Sequence, residues 1–169
     1  MGRQGTAGRS LVICAQLKNQ LLVVQSASAI QLPFWQAPQE LLAITIANGT
    51  CQAFFALWDD DGNTIPGCLG KVTFSNVWAT KTLSTDLLPY LLNPHSFHSH
   101  LLEVDGSEWL AFESQNRLNT YPNWRSWDQT TYHHYVLEGA ESYLEVLAAD
   151  FKAEMAMPDE YKQYAFLLS

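Results

Sequence analysis

The stretch from Leu41 to Trp58 constrains this chain more than any other: an apolar run to Ala47, the pair Asn48-Gly49, and a second apolar run from Thr50. Asn-Gly accepts positive φ at both central positions of a two-residue turn, the geometry that suits the twist of paired strands. Such a turn also fixes the register. It sets Ala47 against Thr50, Ile46 against Cys51, Thr45 against Gln52, Ile44 against Ala53 and Leu42 against Phe55. One face of the hairpin is then Leu42, Ile44, Ile46, Cys51, Ala53 and Phe55, wholly apolar. The other carries Thr45 and Gln52 near the turn but Leu41 and Phe54 further down, so the tip is half-exposed and the base is buried on both sides.

The remainder of the chain supplies material for a core around that hairpin. Apolar residues make up 47% of its 169 residues, aromatics 12% and charged residues 15%, against about 25% charged in an ordinary domain. That excludes an intrinsically disordered chain, and no run approaches the roughly 18 apolar residues of a membrane span. Residues 1–10 read as a flexible tail and 11–169 as a single β-rich domain.

Around the hairpin the punctuation is mostly that of strands. Leu11–Leu17 and Leu21–Gln25 read as short strands, and Leu32-Pro33-Phe34-Trp35 with Pro38 as a connection. Asp59-Asp60-Asp61-Gly62-Asn63-Thr64 is a turn, prolonged by Pro66, Gly67 and Gly70; counting back from Gly62 puts Leu57 at the first calcium position, so it is no EF-hand. Lys71–Leu83 alternates as a strand with a bulge at Ser75-Asn76. Thr85–Leu92 reads as a helix of a turn or two limited by Pro89, Leu101–Val104 as a strand, and Glu108–Leu118 as a helix capped by Asp105 or Ser107. Tyr132–Leu137 is a strand. In residues 142–155, Tyr143, Val146, Leu147 and Phe151 fit a helical face, yet the same stretch also reads as an edge strand; periodicity leans to the helix.

Charge narrows the function classes. Residues 85–169 hold 13 acids and four bases, whereas residues 1–84 hold four acids and five bases; the chain carries −8 overall. An acidic half repels phosphate and anionic lipid, which argues against nucleic-acid or membrane binding. It suits a basic protein partner or serves solubility. Cys14, Cys51 and Cys68 contain no Cys-x-x-Cys pair and read as small buried hydrophobes. The start of the chain faintly resembles a signal peptide with Ala27-Ser28-Ala29 as a cleavage site. Gln16, Lys18, Asn19 and Gln20 interrupt its apolar stretch, so a cytoplasmic protein is expected.

Three constellations bear on chemistry. His95, His98 and His100, with Glu103 or Asp105, have the residue types of a zinc or nickel site, but Asn93-Pro94 points to an exposed loop, and no cofactor is expected. His133 and His134 are adjacent in a strand and point to opposite faces; no Ser, Cys or Asp stands in a recognisable nucleophile setting. Glu108 and Glu113, five residues apart and so about 140° around a helix, read as surface charge. The most unusual feature is the loop Tyr121-Pro122-Asn123-Trp124-Arg125-Ser126-Trp127-Asp128. Trp, Tyr and Arg are enriched at binding hot spots, so the two tryptophans either plug the core or are displayed to a partner.

Three motifs come in a familiar order: Phe74-Ser75-Asn76-Val77-Trp78-Ala79, then Leu102-Glu103-Val104-Asp105-Gly106-Ser107-Glu108-Trp109-Leu110, then His134-Tyr135-Val136 followed by Tyr143-Leu144-Glu145-Val146-Leu147-Ala148. Over residues 70–153 the chain resembles a set of small uncharacterised bacterial proteins, some of them accessory or immunity-type. The resemblance implies an antiparallel β domain in which residues 143–148 form a strand, and it decides that stretch.

The expected fold is mainly β within the α+β class, an antiparallel sheet or sandwich with two short helices. The expected function is that of a non-enzymatic, immunity- or inhibitor-like interaction protein. Its acidic surface would meet a basic partner such as a toxin, with Tyr121, Trp124, Arg125, Trp127 and Asp128 as the anchor. The alternatives are a small-ligand binder with an apolar pocket lined by Phe55, Trp58, Trp78 and Tyr135, and a metal-dependent enzyme at His95, His98 and His100.

Overall fold

The Asn48-Gly49 turn joins two strands in the register its length demands. A computed structural model describes residues 25–37, 41–84, 88–93 and 99–168. In it β3 (Ala43–Ala47) pairs with β4 (Thr50–Trp58) from Ala47–Thr50 down to Ala43–Phe54. Asn48 and Gly49 take φ of +50° and +74°, as a type I′ turn requires. Cys51, Ala53 and Phe55 face the main core; Leu42 and Ile44 border it, and Ile46 at the tip is exposed. Phe54, on the opposite face, is buried against Tyr164.

The hairpin belongs to the smaller of two sheets. β5 (Thr64–Ser75) lies beside β4, and β11 (Asp150–Met155) lies beside β5. A two-residue strand, β2 (Trp35–Gln36), pairs with the far end of β4. The larger sheet holds β1 (Ser26–Ala29), β6 (Ala79–Leu83), β7 (Leu91–Leu92), β8 (Leu101–Val104), β9 (His133–Glu138) and β10 (Tyr143–Ala148), in the order β6-β10-β9-β8-β1-β7. All its neighbours are antiparallel except β1 and β7. The main core combines Phe55, Leu57, Val72 and Phe74 of the small sheet with Leu101, Tyr135, Leu137, Leu144 and Val146 of the large one, so the two sheets bury their apolar faces against each other.

The sheets join where the chain crosses between them. Asn76, at φ +49°, breaks the strand between β5 and β6. Trp78 N–H then donates to the Leu147 carbonyl (2.8 Å), and Ala149 N–H to that of Ser75 (3.1 Å). What alternation reads as one bulged strand over 71–83 is thus two strands in different sheets. Asn tolerates the left-handed backbone such a corner needs.

The two short helices are α1 (Glu108–Thr120) and α2 (Pro158–Tyr161), the latter continuing into 3-10 turns. The first is where the sequence places it, with Ser107 as N-cap accepting from Leu110 N–H at 3.0 Å. The other expected helix, Thr85–Leu92, is corrected within the described residues 88–92. Leu91 and Leu92 pair with β1, and Leu88, Tyr90 and Leu92 pack on Ala27, Leu102 and Val136; Pro89 has no N–H to continue a helix.

Two further readings change. Residues 64–70 belong to β5, and the Pro66-Gly67 punctuation marks an irregularity between the Trp58–Thr64 and Ala56–Leu69 pairs. Residues 143–148 and 150–155 are strands. All six side chains of β10 are buried, so its apolar residues do not alternate with exposed polar ones and a helical face is mimicked. Of the expected N-terminal strands, residues 11–24 lie outside the described residues, as do the tail 1–10 and Cys14. Ala27-Ser28-Ala29 lies within β1, with Ala27 buried between β7 and β8.

Candidate functional site

The first turn of α1 packs on the large sheet through Trp109, against His134 of β9 and Lys81 of β6. Its last turn is tied by Arg117 to the loop that follows, and none of its 13 residues is buried. Phe112 and Leu118 on the helix and Tyr121 at its C-cap are exposed. A helix normally buries an apolar stripe; this one presents apolar side chains outward while Trp109 and Arg117 hold it to the body.

Arg117 organises the loop that follows. Its guanidinium donates to Asp128 Oδ2 at 2.7 Å. The same group lies 4.8 Å from the ring centre of Trp78, 4.6 Å from Trp124 and 4.8 Å from Trp127. Asp128 also accepts from the backbone of Thr130 and from the Tyr132 hydroxyl, each at 3.0 Å. Burial alone would raise the Asp128 carboxyl; the hydrogen bonds from Thr130, Tyr132 and Arg117 outweigh it and hold the group down at about 2. The carboxylate therefore stays ionised near neutrality and fixes the guanidinium between the indoles.

This frame divides the two tryptophans. Trp124, in a 3-10 turn (Trp124–Ser126), is 3% exposed and packs on Trp78 at 5.8 Å. Trp127 is 61% exposed. Its ring has Arg117 against it and the edge of Tyr121 at 6.4 Å. Arg125 lies 3.9 Å from the Trp124 ring centre and donates to the Thr130 carbonyl at 2.8 Å. One indole is a plug and the other is displayed, an outcome that spacing alone does not distinguish.

At the other end of α1 stands a polar cluster. Ser107 Oγ is 2.8 Å from His134 Nδ1, and His134 Nε2 is 3.5 Å from Glu145 Oε2. Glu145 also takes a hydrogen bond from the Tyr90 hydroxyl (2.8 Å) and lies 3.5 Å from Lys81 Nζ. Burial penalises its charge, but His134, Tyr90 and Lys81 together keep the carboxyl below its ordinary value; the same neighbourhood raises the Tyr90 phenol, by burial first and then by Glu145. Sequence spacing brings no serine to a histidine; the structure places Ser107 Oγ against His134 Nδ1. Its sequence signal was the strand–turn–Ser–helix order Val104-Asp105-Gly106-Ser107-Glu108, which reads equally as a helix cap.

The other sequence candidates are scattered. His95 and His98 lie outside the described residues, and His100 is 3.4 Å from Glu138. His133 pairs with Glu103 at 2.6 Å on the face opposite His134. No group of three or more metal-ligating side chains occurs among the described residues. Glu108 is exposed, and Glu113 accepts from Trp109 Nε1 at 3.2 Å. Phe55 and Tyr135 belong to the main core, Trp78 sits with Trp124 and Tyr132, and Trp58 pairs with Trp35, so these four do not share one cavity. Asp59 turns its carboxylate back onto the backbone of Asp61 and Asn63, which makes the Asp59–Asn63 stretch a self-bonded turn. Cys51 and Cys68 are free thiols, and burial pushes Cys51 up to about 11.

Among the described residues no helix is long and apolar enough to cross a membrane. No family model, curated protein or solved structure matches the chain.

Proposed function

We propose that this chain acts by binding a basic protein through the outward side of α1 and the loop after it, in the manner of an inhibitor or immunity protein. The observation that carries the reading is Trp127: an exposed indole kept in one orientation by a charged side chain on its own chain. A displayed aromatic that is already ordered loses little conformational freedom on contact, which is what a binding anchor requires.

Charge supports the choice of partner. Asp105 and Glu108 are exposed at the start of α1, and Phe112, Leu118, Tyr121 and Trp127 are exposed along it and at its end. A helix of this length spans about 20 Å, the scale of a protein contact. The acidic end attracts a basic surface at long range and the aromatic end anchors it, with Arg125 at the rim. Resemblance to small bacterial proteins of accessory or immunity type favours a toxin as the partner, in the cytoplasm and without chemical turnover of what it binds.

The test is co-expression with the product of the neighbouring gene, followed by purification of the pair. A stable 1:1 complex that Trp127→Ala and Tyr121→Ala weaken supports the proposal. A complex indifferent to both substitutions places the contact elsewhere.

A further inference from the structure

The polar cluster at the start of α1 carries more than a helix cap. β8 ends at Val104, the chain turns at Gly106 with φ +58°, and Ser107 stands at the first turn of α1. Ser107 Oγ accepts from Leu110 N–H, which leaves its own hydrogen to donate to His134 Nδ1. That assignment makes Nδ1 the acceptor and puts the ring's one N–H on Nε2, facing Glu145. His134 is 1% exposed, and Nε2 has no hydrogen bond of normal length. β-sheet register explains the meeting: Lys81 pairs directly with Glu145, and His134 pairs with Leu147, two residues from Glu145 on the same face.

Beside this cluster is an open pocket of about 440 Å³, whose lining includes Ser107 and His134, the apolar Val104 and Leu110, and the Glu103–His133 pair. The amides of Glu108 and Trp109, first in a 13-residue helix, have no intrahelical carbonyl to bond. They and the helix dipole favour negative charge developing nearby.

We propose that Ser107 is a nucleophile with His134 as its base, and that the pocket takes small carboxylic esters that are neutral or cationic. The exposed Asp105 and Glu108 beside it disfavour anionic ones. Ser107 Oγ bonds to the ester carbonyl carbon while its proton passes to His134 Nδ1. The carbonyl carbon–alkoxy bond then breaks, and that proton leaves with the alcohol. Water, deprotonated by His134, attacks the acyl carbon; the acyl carbon–Oγ bond breaks, Ser107 Oγ takes the proton back from His134, and the carboxylic acid leaves. Glu145 is a positioning residue that stabilises the charged imidazole; Tyr90 and Lys81 hold it in place. This goes beyond the binding role and does not depend on it.

The test uses the full chain with a fluorophosphonate probe, read by intact mass and peptide mapping. A single adduct on Ser107 is expected, absent in Ser107→Asn, which keeps a cap for Leu110 N–H. His134→Gln should slow it at least about 100-fold, the usual contribution of a positioned base. Circular dichroism establishes that each variant is folded; should His134→Gln not fold, the wild-type adduct and its loss in Ser107→Asn decide. No adduct on the folded wild type, an adduct on another residue, or equal rates in folded His134→Gln overturns the proposal.

Discussion

Arg117 holds Trp127 in place: the guanidinium lies 4.8 Å from the indole centre while its Nη1 is bonded to Asp128, the next residue along from Trp127. The displayed ring is thus tied to the helix behind it through both charge and sequence. Without that tie, a tryptophan in a polar loop would have many rotamers and little value as an anchor.

The two tryptophans should separate stability from recognition. Trp124→Ala removes a buried ring that packs tilted against Trp78 and should cost about 3–5 kcal/mol. Trp127→Ala removes an exposed one and should change stability by no more than about 1 kcal/mol, chiefly its contact with Arg117. Urea unfolding of both variants, followed by circular dichroism, checks this. Equal losses would mean that Trp127 is packed and not displayed.

Acid should loosen the loop as the Asp128 carboxyl takes up its proton. The Asp128 carboxyl is lowered from its ordinary 3.8 to about 2, so its stabilising contribution is complete above about pH 4 and is lost as pH falls through about 2. Tryptophan fluorescence should shift in that window, and Asp128→Asn should remove the shift. A wild-type spectrum unchanged from pH 5 to pH 2 contradicts the assignment.

Gly70 should not accept a side chain. It stands opposite Phe55 in the β4–β5 ladder, and an added Cβ would run into the Phe55 ring and come within 2.8 Å of Leu57 Cδ2. Gly70→Ala should cost about 1–3 kcal/mol by overpacking. Gly70→Ala combined with Phe55→Leu should recover part of that loss in thermal denaturation, because the ring is the nearest obstacle. No recovery would place the strain elsewhere.

Lys71 should fasten the end of the chain to the small sheet. Its ammonium is buried between Glu154 (3.0 Å) and Glu160 (2.6 Å), the latter in α2. Burial opposes its charge, but hydrogen bonds and charge from the two carboxylates outweigh it and raise its pKa. Its contribution is therefore present below its ordinary 10.5 and lost only as pH rises through the higher folded value. Lys71→Ala should cost about 2 kcal/mol, less than a fully buried pair because both carboxylates are partly exposed; Lys71→Met should cost less. Hydrogen exchange over 158–168 should quicken in Lys71→Ala.

How much of this the residues announced depends on whether the cause was local. Asn48-Gly49 dictates its own turn, and the register of β3 on β4 follows. Ser107 capping α1 and the opposite faces of His133 and His134 are local in the same way. β10 was not legible from periodicity, because a strand buried on both faces loses its alternation; the residues allowed a helix or an edge strand, and the strand reading came from the resemblance. The meeting of Ser107, His134 and Glu145 depends on pairing between β9 and β10, and the fate of Trp124 against Trp127 depends on Arg117 reaching over from α1. Neither is written in spacing.

The most direct test of the binding account is the dissociation constant of the purified complex with the neighbouring gene's product, measured at about 50 and 300 mM salt for wild type and Trp127→Ala. An acidic face that attracts a basic partner predicts affinity falling with salt, and an indole anchor predicts at least a tenfold loss in Trp127→Ala at both salts. Affinity that ignores both the salt and the substitution contradicts it.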